Sequence, residues 1–253
     1  MAEVSLKESF VLPSRGLIYG SEFNPKITLR SMTTMDELTR NSKYDTEYKV
    51  MSDIIESCIE EKLPIHVYDM CVGDYQFLLH KLRIVTYGKD YKMYIQCPNC
   101  QEIVESKVDL DSLTELVFDP ETVGSREITL PVSGKKVLLS FQTPRMLDTV
   151  EERAKELKRK TKDRGDYKDY RILFLAMSFI KEIDGKELDP VRLEAVVRQL
   201  PLKDVKYLIQ KGDELNGKVG LDTSVVAKCP ACGYETVVTF RFGPEFWNPT
   251  FDD

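Results

Sequence analysis

Histidine is almost missing from this chain. His66 and His80 are the only two in 253 residues, and neither has a neighbouring nucleophile, so most histidine-based catalytic schemes lack their central group. Long apolar runs are missing too. The longest, Ile172 to Ile180, directly follows the charged KDYR and falls well short of the roughly 20 residues a spanning helix needs. The opening MAEVSLKESF has no apolar h-region, so no secretion signal is expected and the chain should fold in a reducing cytoplasm. Positive charge is in deficit, 36 Lys and Arg against 42 Asp and Glu, a net of −6. That balance argues against a general nucleic-acid coat, which needs a strong positive field. With 42% hydrophobic and 31% charged residues, the chain suits a soluble protein of one large or two small domains.

What the chain does have is paired cysteine. Six cysteines in a reducing compartment make a poor disulfide framework. Four of them form two C-x-x-C units, CPNC (Cys97, Cys100) and CPAC (Cys229, Cys232), a pattern that favours metal. Alternating strands flank both, Met93 and Ile95 before and Ile103 and Val108 after the first, Val225 before and Thr236 to Phe242 after the second. A hairpin bent at C-P-x-C is half of a zinc ribbon, whereas a redox C-x-x-C would open a helix. Zinc takes four ligands and each unit supplies two, so one structural ion shared by Cys97, Cys100, Cys229 and Cys232 is the economical reading. Cys100 and Cys229 stand 129 positions apart, far beyond the roughly 15–20 residues of an ordinary ribbon. Disulfides, or inert thiols in paired turns, are the alternatives. Cys58 and Cys71 read as core thiols.

A repeat brings the two pairs together. KITLRSMT (Lys26–Thr33) matches KVLLSFQT (Lys136–Thr143) at an offset of 110. Ile55, Ser57 and Ile59 match Ala176, Ser178 and Ile180 at 121; Asp74, Phe77, Leu78 and Leu79 match Asp204, Tyr207, Leu208 and Ile209 at 130; the cysteine pairs match at 132. Four matches in one order, with a growing offset, read as a duplication whose second copy gained residues. The expected fold is therefore α+β, an internally duplicated pseudo-two-fold protein whose halves meet at a four-cysteine, zinc-ribbon-like β element. Its expected parts are an N-terminal arm (1–25), a first repeat (26–110), a linker and hairpin (111–135), a second repeat (136–242) and an aromatic tail (243–253).

Local signals fill in the elements. Val50, Ile54, Ile55, Cys58 and Ile59 form a helical stripe, with Asp45 as its cap and Pro64 as its stop. Thr143 before Pro144, and Asp189 before Pro190, each open a helix. PVSGKK (131–136) lacks the first glycine of a phosphate loop and reads as a hairpin turn. Gly233 follows the second knuckle where a positive φ is often required, while Gln101 follows the first, which predicts strain there. RAKELKRKTKDR (153–164) is the one basic cluster, read as a solvated helix end. SFVLPSRGLIYG (9–20) and GPEFWNPTF (243–251) are apolar arms that cover either the protein's own core or a partner.

LPSRGLIY, ITLRSMTTMDE, the VGDY segment, IVTYG, CPNC, CPACGYE and a terminal FW occur in that order. Together they resemble the baseplate hub assembly protein family of T-even-like contractile-tailed phages, from about Leu12 to Trp247. The resemblance implies a non-enzymatic structural or assembly protein of the tail baseplate hub. It would act through contacts with other hub and tail proteins, without small-molecule substrate or membrane, and would reside in the virion or, during assembly, the host cytoplasm. The alternative is a zinc-ribbon nucleic-acid-binding factor using the 153–164 cluster.

Overall fold

The computed structural model describes residues 6–40, 46–121, 126–162, 168–239, 242 and 244–247. It mixes helices with small antiparallel sheets, the expected α+β class. Two stretches of chain run through elements in a similar order. In the first, β1 (Lys7–Val11) pairs with β2 (Lys26–Arg30), followed by α1 (Thr34–Arg40) and α2 (Glu47–Cys58). The residue after α2 returns to β2 through a Leu29–Ile59 bridge. A 3-10 turn (Val67–Asp69), α3 (Val72–Tyr87) and the hairpin β3 (Asp90–Gln96) to β4 (Ile103–Asp109) complete this stretch. A short β5 (Glu115–Leu116) follows.

In the second stretch β6 (Glu127–Thr129) pairs with β7 (Lys136–Leu139), followed by α4 (Pro144–Lys162) and α5 (Arg171–Ser178). Next, β8 (Ile180–Ile183) returns to β7, with Ile180 opposite Leu139. Helices α6 (Pro190–Gln199) and α7 (Leu202–Asn216) lead to β9 (Gly220–Leu221), which pairs with β5, and to the hairpin β10 (Ser224–Lys228) to β11 (Glu235–Thr239).

The local starts behave as their chemistry demands. The Asp189 carboxylate accepts from the N–H groups of Val191 and Arg192, and Pro190 supplies the pre-set φ of the first turn. Thr143 Oγ1 accepts from Met146 N at 3.3 Å at the start of α4. Helix α2 differs from the sequence expectation. It ends at Cys58, ahead of Pro64, because Ile59 leaves the helix to bond β2. Asp45 lies outside the described residues, as do the last residues of the 153–164 cluster.

Two main buried cores follow from this order. One gathers Leu12, Ile27, Leu29, Ile54, Phe77 and Leu82 with the C-terminal Phe246 and Trp247. The other gathers Phe118, Val137, Leu139, Phe174, Phe179 and Leu208. The described parts of both apolar arms therefore dock on the chain itself. The N-terminal arm adds β1 to β2 and buries Leu12, and Arg83 holds the tail by donating to the Phe246 carbonyl at 2.9 Å.

Between the two stretches, Val72 N donates to the Gln142 carbonyl at 2.9 Å and Tyr68 Oη to Asp148 at 2.8 Å. Arg145 makes a two-pronged ion pair with Asp69 at 2.6 and 2.9 Å. Gly73 sits so close to Val219 that a Cβ there would lie 2.2 Å from the Val219 carbonyl oxygen. Only glycine fits that position.

Several hydrogen bonds recur at the offsets read from the sequence. Met32 N donates to Thr86 Oγ1 (3.1 Å) and Gln142 N to Asn216 Oδ1 (2.8 Å). Ser57 Oγ donates to the Ile54 carbonyl (2.8 Å) and Ser178 Oγ to that of Leu175 (2.7 Å). A related pair, Ser14 N to Asp74 (3.0 Å) and Val132 N to Asp204 (2.7 Å), keeps the offset of 130 in its acceptors only, its donors standing 118 apart. In that last pair the donor follows a Leu-Pro dipeptide in both stretches, Leu12-Pro13 and Leu130-Pro131.

Candidate metal centre

The four cysteines of the two knuckles come together. Each knuckle is a tight turn closing a hairpin, held by two backbone bonds. Cys97 N donates to the Glu102 carbonyl and Gln101 N to that of Cys97 (2.8 and 2.9 Å); Cys229 N donates to the Tyr234 carbonyl and Gly233 N to that of Cys229 (2.9 and 2.8 Å). The turn forces a left-handed residue after the second cysteine. Gly233 takes it at φ 72° without penalty, and Gln101 takes it at φ 64° against its own Cβ.

The hairpins pack Ile95 and Val104 against Ala227, with Met93 and Val238 at the margin, and this small core aims both knuckles at each other. Cys97 Sγ lies 3.7 Å from Cys232 Sγ, and Cys100 Sγ lies 3.7 Å from Cys229 Sγ. All four sulfurs fall within 4.8 Å of one another. Zinc–sulfur bonds of about 2.3 Å in a tetrahedron imply sulfur–sulfur edges of about 3.8 Å, so the donor set fits a tetrahedral ion. Cys97 and Cys229 are buried, Cys100 is half-buried and Cys232 is exposed.

The electrostatics are those of crowded thiols. The Asn99 amide, donating to Cys232 Sγ at 3.5 Å, leads the effects that pull the Cys232 thiol down to about 6. A backbone bond from Glu102 lowers Cys100, but desolvation and the other three thiols outweigh it and push the group up to about 12. Sulfurs at this spacing cannot all ionise without a cation among them. Four thiolates around one ion leave no open coordination position, which is the pattern of a structural site and not of a catalytic one.

The remaining candidates stay apart from the cluster. His80 is buried with Nε2 2.9 Å from the Leu110 carbonyl, and desolvation lowers it to about 4, so it is neutral at physiological pH. His66 sits between Asp53 and Glu56 at the surface. Cys58 and Cys71 are buried, and burial pushes both thiols up. In the basic cluster Arg153 pairs with Glu194 and Lys160 with Glu156. PVSGKK is the β6–β7 turn, with Gly134 at φ 68°.

Sequence reasoning did not name the partners of the buried carboxylate at the start of α3. Asp74 accepts from the Ser14 N–H and hydroxyl and from Tyr19 Oη at 2.6 Å, while Tyr19 Oη accepts from Cys71 N at 3.0 Å. Burial holds the Asp74 carboxyl above its ordinary range against those donors. The group pins the N-terminal segment to the start of α3. Its signal was the Asp74–Asp204 match, whose partners sequence alone does not name.

The structure is a mixed helix–sheet scaffold that brings four thiols together at the tips of two hairpins. The family model described as T4 bacteriophage base plate protein matches residues 6–247, nearly the whole chain, and the chain belongs to that family, a phage baseplate structural protein. Comparison with curated proteins and with solved structures gave no match. Among the described residues no helix is long and apolar enough to cross a membrane.

Proposed function

We propose that this chain is a non-enzymatic structural or assembly component of the baseplate hub, working in the virion tail through contacts with other baseplate proteins. One zinc ion held by Cys97, Cys100, Cys229 and Cys232 fixes its two hairpins. The observation that carries the metal reading is the convergence of four sulfurs from distant parts of the chain. Zinc there is a clamp: it neutralises the thiolates and replaces a core too small to hold two hairpins. The family match carries the baseplate reading and does not favour the nucleic-acid alternative.

We also propose that the two stretches are copies of one ancestral unit. The hydrogen bonds recurring at fixed offsets support this, as does the return of Ile59 to Leu29 and of Ile180 to Leu139. On this reading the repeat reaches back beyond residue 26, because β1 and its Leu-Pro turn correspond to β6 and its own. Mass spectrometry of purified virions tests the placement. The chain should be found among the tail proteins; finding it only in infected-cell lysate would make it an assembly factor that leaves.

A further inference from the structure

We propose that copies of this chain associate head to tail, the first turn of α7 of one copy entering the cleft between α1 and the end of α3 of the next. The inference rests on the duplicated-fold reading above and does not depend on the metal.

The argument begins with a contact inside the chain. The first turn of α3 inserts into the second stretch. Val72 N bonds the Gln142 carbonyl, and Gly73 lies on the Val219–Gly220 backbone, where both glycines are buried. Each partner in this contact has a counterpart elsewhere in the chain. At the offsets of 110 and 132, Gln142 corresponds to Met32 and Gly220 to Gly88; at 130, the inserting turn Val72–Gly73 corresponds to Leu202–Lys203.

Among the described residues both counterparts are open. Met32 and Gly88 line a cleft of about 630 Å³ together with Thr34, Glu37, Ile84 and Tyr87. Gly220 is covered by Gly73, but Gly88 is exposed, and nothing lies within 4 Å of where its Cβ would stand. The counterpart of the inserting turn is bare as well. Leu202 is 61% exposed, beside the Pro131–Ser133 turn that Asp204 holds, where Val132 is 55% exposed. So, among the described residues, one stretch keeps an unfilled receiving surface and the other an undocked apolar turn. The two are different surfaces of one molecule, which is the arrangement of a heterologous contact that propagates from copy to copy.

One difference sets the geometry. Lys203 stands where the internal contact has Gly73, so the turn cannot approach as closely as Gly73 does to Val219. The cleft has room for the lysine stem, and its wall carries Glu37, whose carboxylate is paired with Arg40.

Sedimentation equilibrium of the full zinc-loaded chain, over a range of concentration, tests the proposal. The wild type should grow past the dimer as concentration rises. Leu202→Asp, which spoils the turn, and Thr34→Arg, which fills the cleft and repels Lys203, should each be monomeric with unchanged circular dichroism and zinc content. An equimolar mixture of the two retains one good turn and one good cleft, so it should recover association that stops at a dimer. A wild type still monomeric near millimolar concentration, variants that assemble as before, or a mixture that stays monomeric would each overturn the proposal. If the wild type is monomeric while an experimental structure superposes the two halves, the contact fails and the duplication stands. Halves that do not superpose would sink the duplication itself.

Discussion

Cys100 Sγ and Cys229 Sγ lie 3.7 Å apart although 129 positions separate them in the chain. The apolar contact beneath them is small, built on Ile95, Val104 and Ala227. The two main cores, by contrast, are complete without the hairpins' tips. The halves are also joined by Val72 to Gln142 and by Tyr68 to Asp148. Loss of the ion should therefore open the hairpins without parting the halves. In Cys229→Ser, hydrogen exchange should accelerate strongly at the hairpin tips, 95–104 and 227–236, while α3 keeps its protection. Equal acceleration across α3 would show that the ion holds the whole molecule together.

The Gly73–Val219 contact gives a second prediction. A Cβ at residue 73 would meet backbone on the other stretch at 2.2 Å, and backbone cannot turn away as a side chain can. Gly73→Ala should cost about 3 kcal/mol or more in urea unfolding, at the upper end of overpacking effects. Gly88→Ala meets nothing within 4 Å, but its φ of 86° and ψ of 172° lie in a region open essentially to glycine alone, so it should cost about 1–3 kcal/mol through backbone strain without any packing clash. A Gly73→Ala variant as stable as wild type would contradict the packing described.

The two knuckles should respond in opposite directions. Gln101 holds a left-handed conformation that glycine adopts freely, so Gln101→Gly should stabilise the metal-loaded chain by roughly 0.5–1 kcal/mol. Gly233→Ala should destabilise it by about 1 kcal/mol. Denaturant midpoints of the two variants against wild type give the signs directly.

Asp204 supplies a pH dependence. Desolvation raises its carboxyl, but hydrogen bonds from Ser133 and Val132 prevail and hold it below the ordinary value. A folded pKa below the unfolded one, about 3.9, contributes stability above that value and loses it as pH falls through the folded pKa. Asp204→Ala leaves two N–H groups unpaired and should cost about 1–3 kcal/mol at neutral pH. That difference should shrink on acidification below about pH 4. Asp74, raised by burial, works the other way, its ionisation opposing folding as pH climbs from about 3.9 through its folded value. A deficit in Asp204→Ala that is flat with pH would contradict the assignment.

Signals confined to a few residues were legible in advance. Thr143-Pro144, Asp189-Pro190, the C-P-x-C turns and the glycine after Cys232 each fix their own backbone, and the structure uses them as read. Convergence of the cysteines was expected from the four ligands zinc takes and from the sequence matches between the two stretches, and the four sulfurs do fall within 4.8 Å of one another. What stayed hidden depends on partners far along the chain. Pro64 reads as the stop of α2, yet Leu29 ends it earlier by pairing with Ile59. Nothing near Asp74 announces Ser14 and Tyr19, and a glycine early in α3 reads as a propensity defect until Val219 is seen against it. The apolar arms left cis and trans docking equally open, because an apolar sequence specifies burial but not against what.

The most direct test is the metal content of the purified chain, by elemental mass spectrometry against measured protein concentration. The account predicts one zinc per chain, lost in Cys229→Ser and in Cys97→Ser alike, with cobalt substitution giving the absorption of a tetrahedral thiolate site. A well-folded chain with no metal, and four knuckle thiols that all react freely, would contradict it.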